Sequence, residues 1–167
     1  MVELMAVVFI TGITATLAVA AFRKHLLASR GTEAVDVILA CRSSEEAYRA
    51  ENHVYLNVST ADTWYPIATP DKGKHNWVPT SHVDLARWQT LAPSVNHLVM
   101  FTYLVYAGTP GTSIPVPAIT SPPNFNNPQP LDWYLLQAKG DTDGNGIFTT
   151  YASTSITGEV YVENEGE

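Results

Sequence analysis

The chain has little cysteine, little charge and few basic residues. Cys41 is the one cysteine among 167 residues, which excludes an intrachain disulfide framework. Charged residues make up 15% of the chain, and 16 acidic side chains against 9 basic ones give a formal net charge of −7. Nucleic-acid binders need clustered basic side chains to neutralise phosphates, so this balance argues against that class. The hydrophobic content of 46% is enough for one domain with a core.

The first 22 residues contain no proline, lysine or arginine, and Glu3 carries their one charge. As a helix they would extend about 33 Å, against a bilayer hydrocarbon thickness of about 30 Å. A secretory signal peptide would have a basic beginning and a small-residue cleavage site before the charged residues that follow. The sequence shows neither feature. Residues 1–22 are therefore predicted to be a retained transmembrane or filament-core helix segment.

The helix is predicted to continue to residue 53, because no proline occurs between Arg23 and Asn52. Apolar residues recur there at intervals of three, four or seven and form one stripe: Leu27, Ala34, Ile38, Cys41 and Tyr48. Charged residues are predicted on the opposite side: Arg30, Glu33, Arg42, Glu46 and Arg49. The pattern indicates one helix of about fifty residues that begins apolar on all sides and becomes amphipathic over residues 23–53.

The rest of the globular head, residues 23–167, is predicted to be a loop followed by a sheet. Prolines punctuate residues 54–95, where a short helical turn is expected at 82–88. Strand-like runs within residues 96–167 cover 97–107, 133–138, 147–153 and 158–163. Short turns join the last three runs, which favours an antiparallel meander. The predicted fold class is α+β, with a long N-terminal helix packed on a small antiparallel sheet.

Two smaller features of the head also have expected roles. Cys41 lies on the apolar stripe and is expected to pack as a small hydrophobic side chain rather than react. The aromatic residues of the loop are expected to hold it against the sheet: Trp64, Tyr65, Trp77 and Trp88. The five histidines show no metal-ligand spacing, and no nucleophile pattern occurs, so no enzymatic activity is predicted.

Glu3 is costly in hydrocarbon unless a cation accompanies it. Arg23 is about 30 Å away along the helix, so the nearest positive group would be an N-terminal amine, its own or that of another copy. An amine from a neighbour would fix the stagger between bundled helices. The alternative is a solvated Glu3 at an interface, favoured by the positive end of the helix dipole.

The N-terminal residues resemble a known family. Residues 2–5, Val-Glu-Leu-Met, followed by an apolar run with Gly12, resemble the N-terminal segment of type IV pilins and related pseudopilins. Residues 47–55 and 133–146 also look like parts of some pilins. The resemblance implies a pilin-like fold and a non-enzymatic structural subunit of a type IV pilus filament, a homopolymer. It assigns subunit assembly to Met1, Glu3 and Gly12.

The resemblance also implies a route of maturation and assembly. A prepilin peptidase would remove a leader and methylate the new N-terminus. The inner-membrane pilus assembly machinery would then move the subunit from the inner membrane into an extracellular filament that serves adhesion, surface motility or DNA uptake. The chain departs from the family pattern in the position of Glu3, which is third rather than fifth, in Ala20 replacing a common proline, and in lacking a C-terminal cysteine pair. Two alternatives remain, a pseudopilin of a type II secretion system and a monomeric membrane-anchored binding module.

One stretch has the beginning of a calcium loop. Asp141, Asp143 and Asn145 place oxygen atoms at alternate positions, and Gly146 follows at the sixth position. The twelfth position, which should be a bidentate glutamate, is Ala152. Calcium is therefore a candidate cofactor with Asp141, Asp143 and Asn145 as ligands. The favoured alternative is a tight turn, because Asp, Asn and Gly tolerate positive φ.

Overall fold

The computed structural model describes the backbone of residues 2–166 and the side chains of all of these except Val2, Ala20, Arg23, Lys24 and Ala28. Within this range the elements are α1 (Val2–Asn52), α2 (Leu85–Leu91), β1 (Thr102–Gly108), β2 (Trp133–Gly140), β3 (Thr149–Thr154) and β4 (Val160–Glu163). The strands form one antiparallel sheet in the order β1-β2-β3-β4. The predicted α+β class and the antiparallel meander are therefore confirmed.

Helix α1 is continuous over 51 residues, as predicted, and extends about 77 Å. Its buried face begins near its middle, where Ala34, Ile38 and Cys41 are at most 2% exposed and pack in the main core. Gly31 lies at the start of this face, where a Cβ would collide with the Tyr151 hydroxyl of β3. The absence of a side chain at Gly31 thus lets the helix approach the sheet closely. Cys41 is a buried thiol, and burial raises its pKa well above the usual range. Both features agree with its predicted packing role.

Charged residues of α1 contact the head instead of facing only solvent, which corrects the prediction of an opposite charged face. Arg30 donates through Nη1 to the carbonyl of Thr142, and Arg42 donates through Nη1 to the carbonyl of Gly158 at 3.0 Å. Glu33 accepts the backbone N–H of Met100 at 2.6 Å. These long side chains flank the apolar stripe and reach past it to backbone groups at the margins of the head. They attach α1 to the head at three positions along the helix.

The loop of residues 109–132 covers the face of the sheet that α1 does not. Ile114 and Phe125 of this loop pack with Trp133 and Leu135 in a second buried cluster. Two side chains of the sheet bond to the loop backbone: the Gln137 oxygen accepts the Ala118 N–H at 2.7 Å, and Glu163 accepts the Thr120 N–H at 2.6 Å. The loop thus adds a third layer to the head.

The loop between α1 and α2, residues 53–84, covers the edge of β1 that does not pair with β2. Tyr103 exchanges two backbone hydrogen bonds with Tyr65, and the carbonyl of Val105 accepts the N–H of Ser59 at 2.9 Å. Tyr65 then stacks on Trp88 of α2 with 4.7 Å between ring centroids. The predicted anchoring of the loop by its aromatic residues is thus confirmed for Tyr65, Trp77 and Trp88, all of which are buried.

Several predicted boundaries were wrong by a few residues. Helix α2 covers Leu85–Leu91 rather than 82–88, and β1 begins at Thr102 rather than at residue 97. The second difference has a clear cause: Val99 forms an isolated antiparallel bridge with His75, so residues 97–101 lie outside the sheet. Likewise β3 begins at Thr149, because Ile147 belongs to the preceding turn and donates its N–H to Asn145 at 2.6 Å.

Candidate assembly surface

The N-terminal half of α1 is an exposed apolar surface. Every residue from Glu3 to Val19 is exposed, and Leu4, Met5 and Phe9 retain 71%, 74% and 68% of their accessible surface. The head packs only on the other half of the helix. Among the residues that the structure describes, no helix is both long enough and apolar enough to cross a membrane. The apolar side chains of this half are thus not covered by the head, an arrangement that favours association.

The threonine side chains within this half of α1 bond to their own helix. The hydroxyls of Thr11, Thr14 and Thr16 donate to backbone carbonyls three or four residues earlier, at 2.8 to 3.0 Å. A partner can therefore cover these residues without leaving their hydroxyl donors unpaired. Gly12 has no atom within 4 Å of the position that a Cβ would occupy. Its missing side chain serves no contact within the described chain and leaves a notch in the apolar surface.

Glu3 lies in the first turn of α1 and is exposed. Within residues 2–166, no hydrogen bond or ion pair engages its carboxylate, and the ion pairs described elsewhere join Arg49 to Asp132 and His75 to Asp71. Met1, which was also predicted to take part in assembly, lies outside the described residues. The structure thus places Glu3 and Gly12 in the same exposed half of α1, and the described residues give Glu3 no ion pair.

The candidate calcium residues are brought together in one turn. The two carboxylate oxygens of Asp141 accept the backbone N–H groups of Gly144 and Gly146 at 2.8 and 3.1 Å. Asp143 accepts the N–H of Asn145 at 3.0 Å. Both glycines have positive φ, 81° and 83°, as a tight turn requires. The carboxylates therefore already have hydrogen-bond donors, the arrangement that the turn alternative predicts.

Two basic side chains flank the same turn. Arg30 donates to the carbonyl of Thr142, and the aliphatic stem of Lys72 packs over Gly144. In the part of the chain that the structure describes, no group of three or more His, Cys, Asp or Glu side chains is placed to hold a metal ion. Nearby cations also oppose the binding of a divalent cation.

The turn supplies a test of the calcium hypothesis. We expect Asp141→Ala to lower the free energy of unfolding by about 2 kcal/mol, because a buried carboxylate that accepts two backbone N–H groups is lost. Asp143→Ala is the matched control, since its carboxylate is exposed and it should cost less. Thermal unfolding of the full chain with millimolar calcium or with a chelator should give the same midpoint. A midpoint that rises with calcium in the native chain but not in Asp141→Ala would establish a calcium loop.

The sequence reasoning missed Glu45. This residue is fully buried on α1, its Oε2 accepts the N–H of Leu56 at 2.9 Å, and its Oε1 has no hydrogen-bond partner. Burial raises the pKa of the carboxyl to about 7, and the neighbouring Glu46 adds to the increase. One signal was present in the sequence: Glu45 follows Cys41 by four residues, so it continues the apolar stripe.

No protein-family model, curated protein or solved structure matches the chain. Function must therefore be inferred from the residues and their arrangement.

Proposed function

We propose that the chain is the structural subunit of a type IV pilus-like filament and polymerises through the N-terminal half of α1. The observation that carries this proposal is the division of one continuous helix into two halves of opposite exposure. The C-terminal half buries one face against the head, whereas the N-terminal half is apolar and exposed from Glu3 to Val19. Each apolar Å² that a partner covers contributes about 25 cal/mol, so this surface strongly favours association.

A second copy of the chain suits this surface better than an unrelated partner. The same apolar side chains are presented by every copy, so parallel helices can bury them against each other in a bundle. The threonine hydroxyls need no donor or acceptor from a neighbour, because they bond within their own helix. Glu3 then finds its cation in the N-terminal amine of the adjacent copy, which sets the axial stagger. The resemblance of residues 2–5 and Gly12 to pilins supports the same arrangement.

The cellular route follows from the proposed function. The unassembled subunit is held in the inner membrane, where a prepilin peptidase matures it and the pilus assembly machinery takes it up. The head is then exposed outside the cell on the filament. Fractionation of cells before and after shearing tests this route, because the subunit should move from the inner-membrane fraction to the sheared extracellular fraction.

The decisive test of assembly is Glu3→Gln, which removes the charge and keeps the shape. Loss of one partner of a buried ion pair costs about 3–5 kcal/mol, so the yield of sheared filaments should fall at least tenfold. Glu51→Gln is the matched control, because Glu51 is an exposed glutamate on the same helix with no described contact. Electron microscopy and quantification of the sheared fraction give the readout.

Two outcomes would contradict the proposal. If Glu3→Gln and Glu51→Gln give as many filaments as the native chain, the carboxylate does not direct assembly. If the native chain remains monomeric in membranes and forms no filaments at all, the monomeric membrane-anchored binding module is the better description.

A further inference from the structure

A groove on the head, separate from the assembly surface, has the features of a ligand site. It has a volume of about 410 Å³ and is lined by two segments of the chain, residues 76–78 and 95–98. Binding sites for small ligands commonly measure about 300–1,000 Å³. Two aliphatic side chains on its wall remain substantially exposed, Val78 at 57% and Leu98 at 48%.

The base of this groove is held rigidly. His75 and Val99, at the ends of the two segments, exchange backbone hydrogen bonds of 2.8 and 2.9 Å. The carbonyl of Trp77 accepts the hydroxyl of Tyr65, and the Trp77 ring packs edge-on against Tyr65 and Trp88 at centroid distances of 5.0 and 5.2 Å. The lining segments are thus positioned before any ligand arrives, which reduces the entropy lost on binding.

The polar side chains of the groove have no partners of their own. Among the described residues, no hydrogen bond engages the side chains of Asn76, Asn96 or His97 or the indole N–H of Trp77. Asparagines in other loops behave differently. The Asn57 and Asn127 side chains accept the N–H groups of Ala107 and Ile114, at 3.3 and 2.9 Å. The side-chain amides of the groove asparagines therefore remain available to a ligand.

The chemistry of these groups selects a class of ligand. Each amide supplies both donors and an acceptor, which matches hydroxyl groups that also donate and accept. The groove contains no Asp, Glu, Lys or Arg, so it offers no permanently charged side chain to a ligand. Val78, Val95 and Leu98 suit an adjacent C–H surface. We propose that this groove binds a neutral carbohydrate, with Asn76 and Asn96 bonding its hydroxyls and the aliphatic side chains covering its apolar face.

The test uses the full-length chain in a mild detergent on an array of neutral, sialylated and sulfated oligosaccharides. Neutral oligosaccharides should bind, and a calorimetric titration with the best of them should be nearly independent of salt concentration, because no charge pair forms. Asn76→Ala combined with Asn96→Ala should raise Kd at least tenfold, since two good hydrogen bonds are lost. Gln89→Ala is the matched control: it removes an exposed amide on α2 that has no described hydrogen bond and lies outside the groove.

Each remaining outcome counts against the carbohydrate site. Binding restricted to sialylated or sulfated sugars overturns the neutral class, and the absence of any binding overturns the site. An unchanged Kd in the double variant places the ligand elsewhere. If the double variant instead reduces filament yield and the native chain binds no sugar, the groove is a contact between heads. The melting temperature of the double variant should match that of the native chain, which excludes misfolding as the cause, and the Glu3→Gln test of assembly is independent of all these results.

Discussion

Replacement of Trp88 by alanine is expected to lower the free energy of unfolding by about 3–5 kcal/mol. Trp88 is 1% exposed, stacks on Tyr65 and meets the edge of Trp77, so its removal opens a large cavity between α2, the loop and the sheet. A loss of this size is a large part of the 5–15 kcal/mol that typically stabilises a folded domain. Urea unfolding of the full chain, followed by far-ultraviolet circular dichroism, measures the change.

Trp88→Phe is the informative control for this prediction. The indole N–H of Trp88 is buried without a hydrogen-bond partner, and phenylalanine removes that unsatisfied donor while it keeps most of the ring volume. The phenylalanine variant should therefore lose only about 1–2 kcal/mol. If alanine costs no more than phenylalanine, the aromatic cluster does not hold the loop to the sheet in the way that the packing indicates.

Glu45 is expected to make the head less stable as the pH rises from about 4.5 to about 7. The folded chain binds this proton more tightly than the unfolded chain, since burial raises the carboxyl pKa from 4.5 to about 7. The contribution of Glu45 to the free energy of unfolding is therefore greatest when the pH is below the pKa of the unfolded chain. It decreases as the pH rises, until the pH exceeds the pKa of the folded chain. The corresponding loss is about 3 kcal/mol, with no further change from Glu45 above that range. Arg42 and Arg49 lie within one turn of Glu45 on α1 but bond to the carbonyl of Gly158 and to the Tyr55 hydroxyl. Among the neighbouring charges, that of Glu46 adds to the effect of burial on the pKa of Glu45.

Glu45→Gln should remove most of this pH dependence. Glutamine keeps an oxygen for the N–H of Leu56 and carries no charge at any pH, so the variant should be about 2–3 kcal/mol more stable than the native chain at pH 8. The two chains should be similar at pH 4.5. Glu51→Gln is again the control, because that carboxylate is exposed on the same helix. Parallel urea titrations at both pH values provide the measurement, and an unchanged pH slope in Glu45→Gln would disprove the assignment.

The main features of the fold could be predicted because they depend on local patterns. Helix α1 follows from more than fifty residues without proline, and its buried side follows from apolar residues spaced for one helical face. The three later strands follow from short runs bounded by turn residues. The reach of Arg30, Glu33 and Arg42 to the head could not be predicted in this way. Spacing gives the direction in which a side chain leaves the helix, but not the backbone group that its far end meets.

The loop regions depend on contacts between distant residues. Residues 109–132 have no periodicity that would place them over the sheet, and their position rests on bonds such as Ala118 to Gln137. The groove likewise forms only because residues 76–78 lie beside residues 95–98. The bridge between His75 and Val99 joins these segments, and no local sequence pattern predicts it. For the assembly surface, the sequence singled out Glu3 and Gly12, and the described residues offer Glu3 no ion pair.

The three attachments between α1 and the head have a mechanical consequence. A pull along α1 loads its continuous backbone hydrogen bonds in series, whereas the bonds of Arg30, Glu33 and Arg42 resist sliding of the head along the helix in parallel. Bonds loaded together in shear share the force, and the Arg49–Asp132 ion pair and the buried face of α1 add to their resistance. In the proposed filament, tension would thus stretch α1 before it separates the head from the helix.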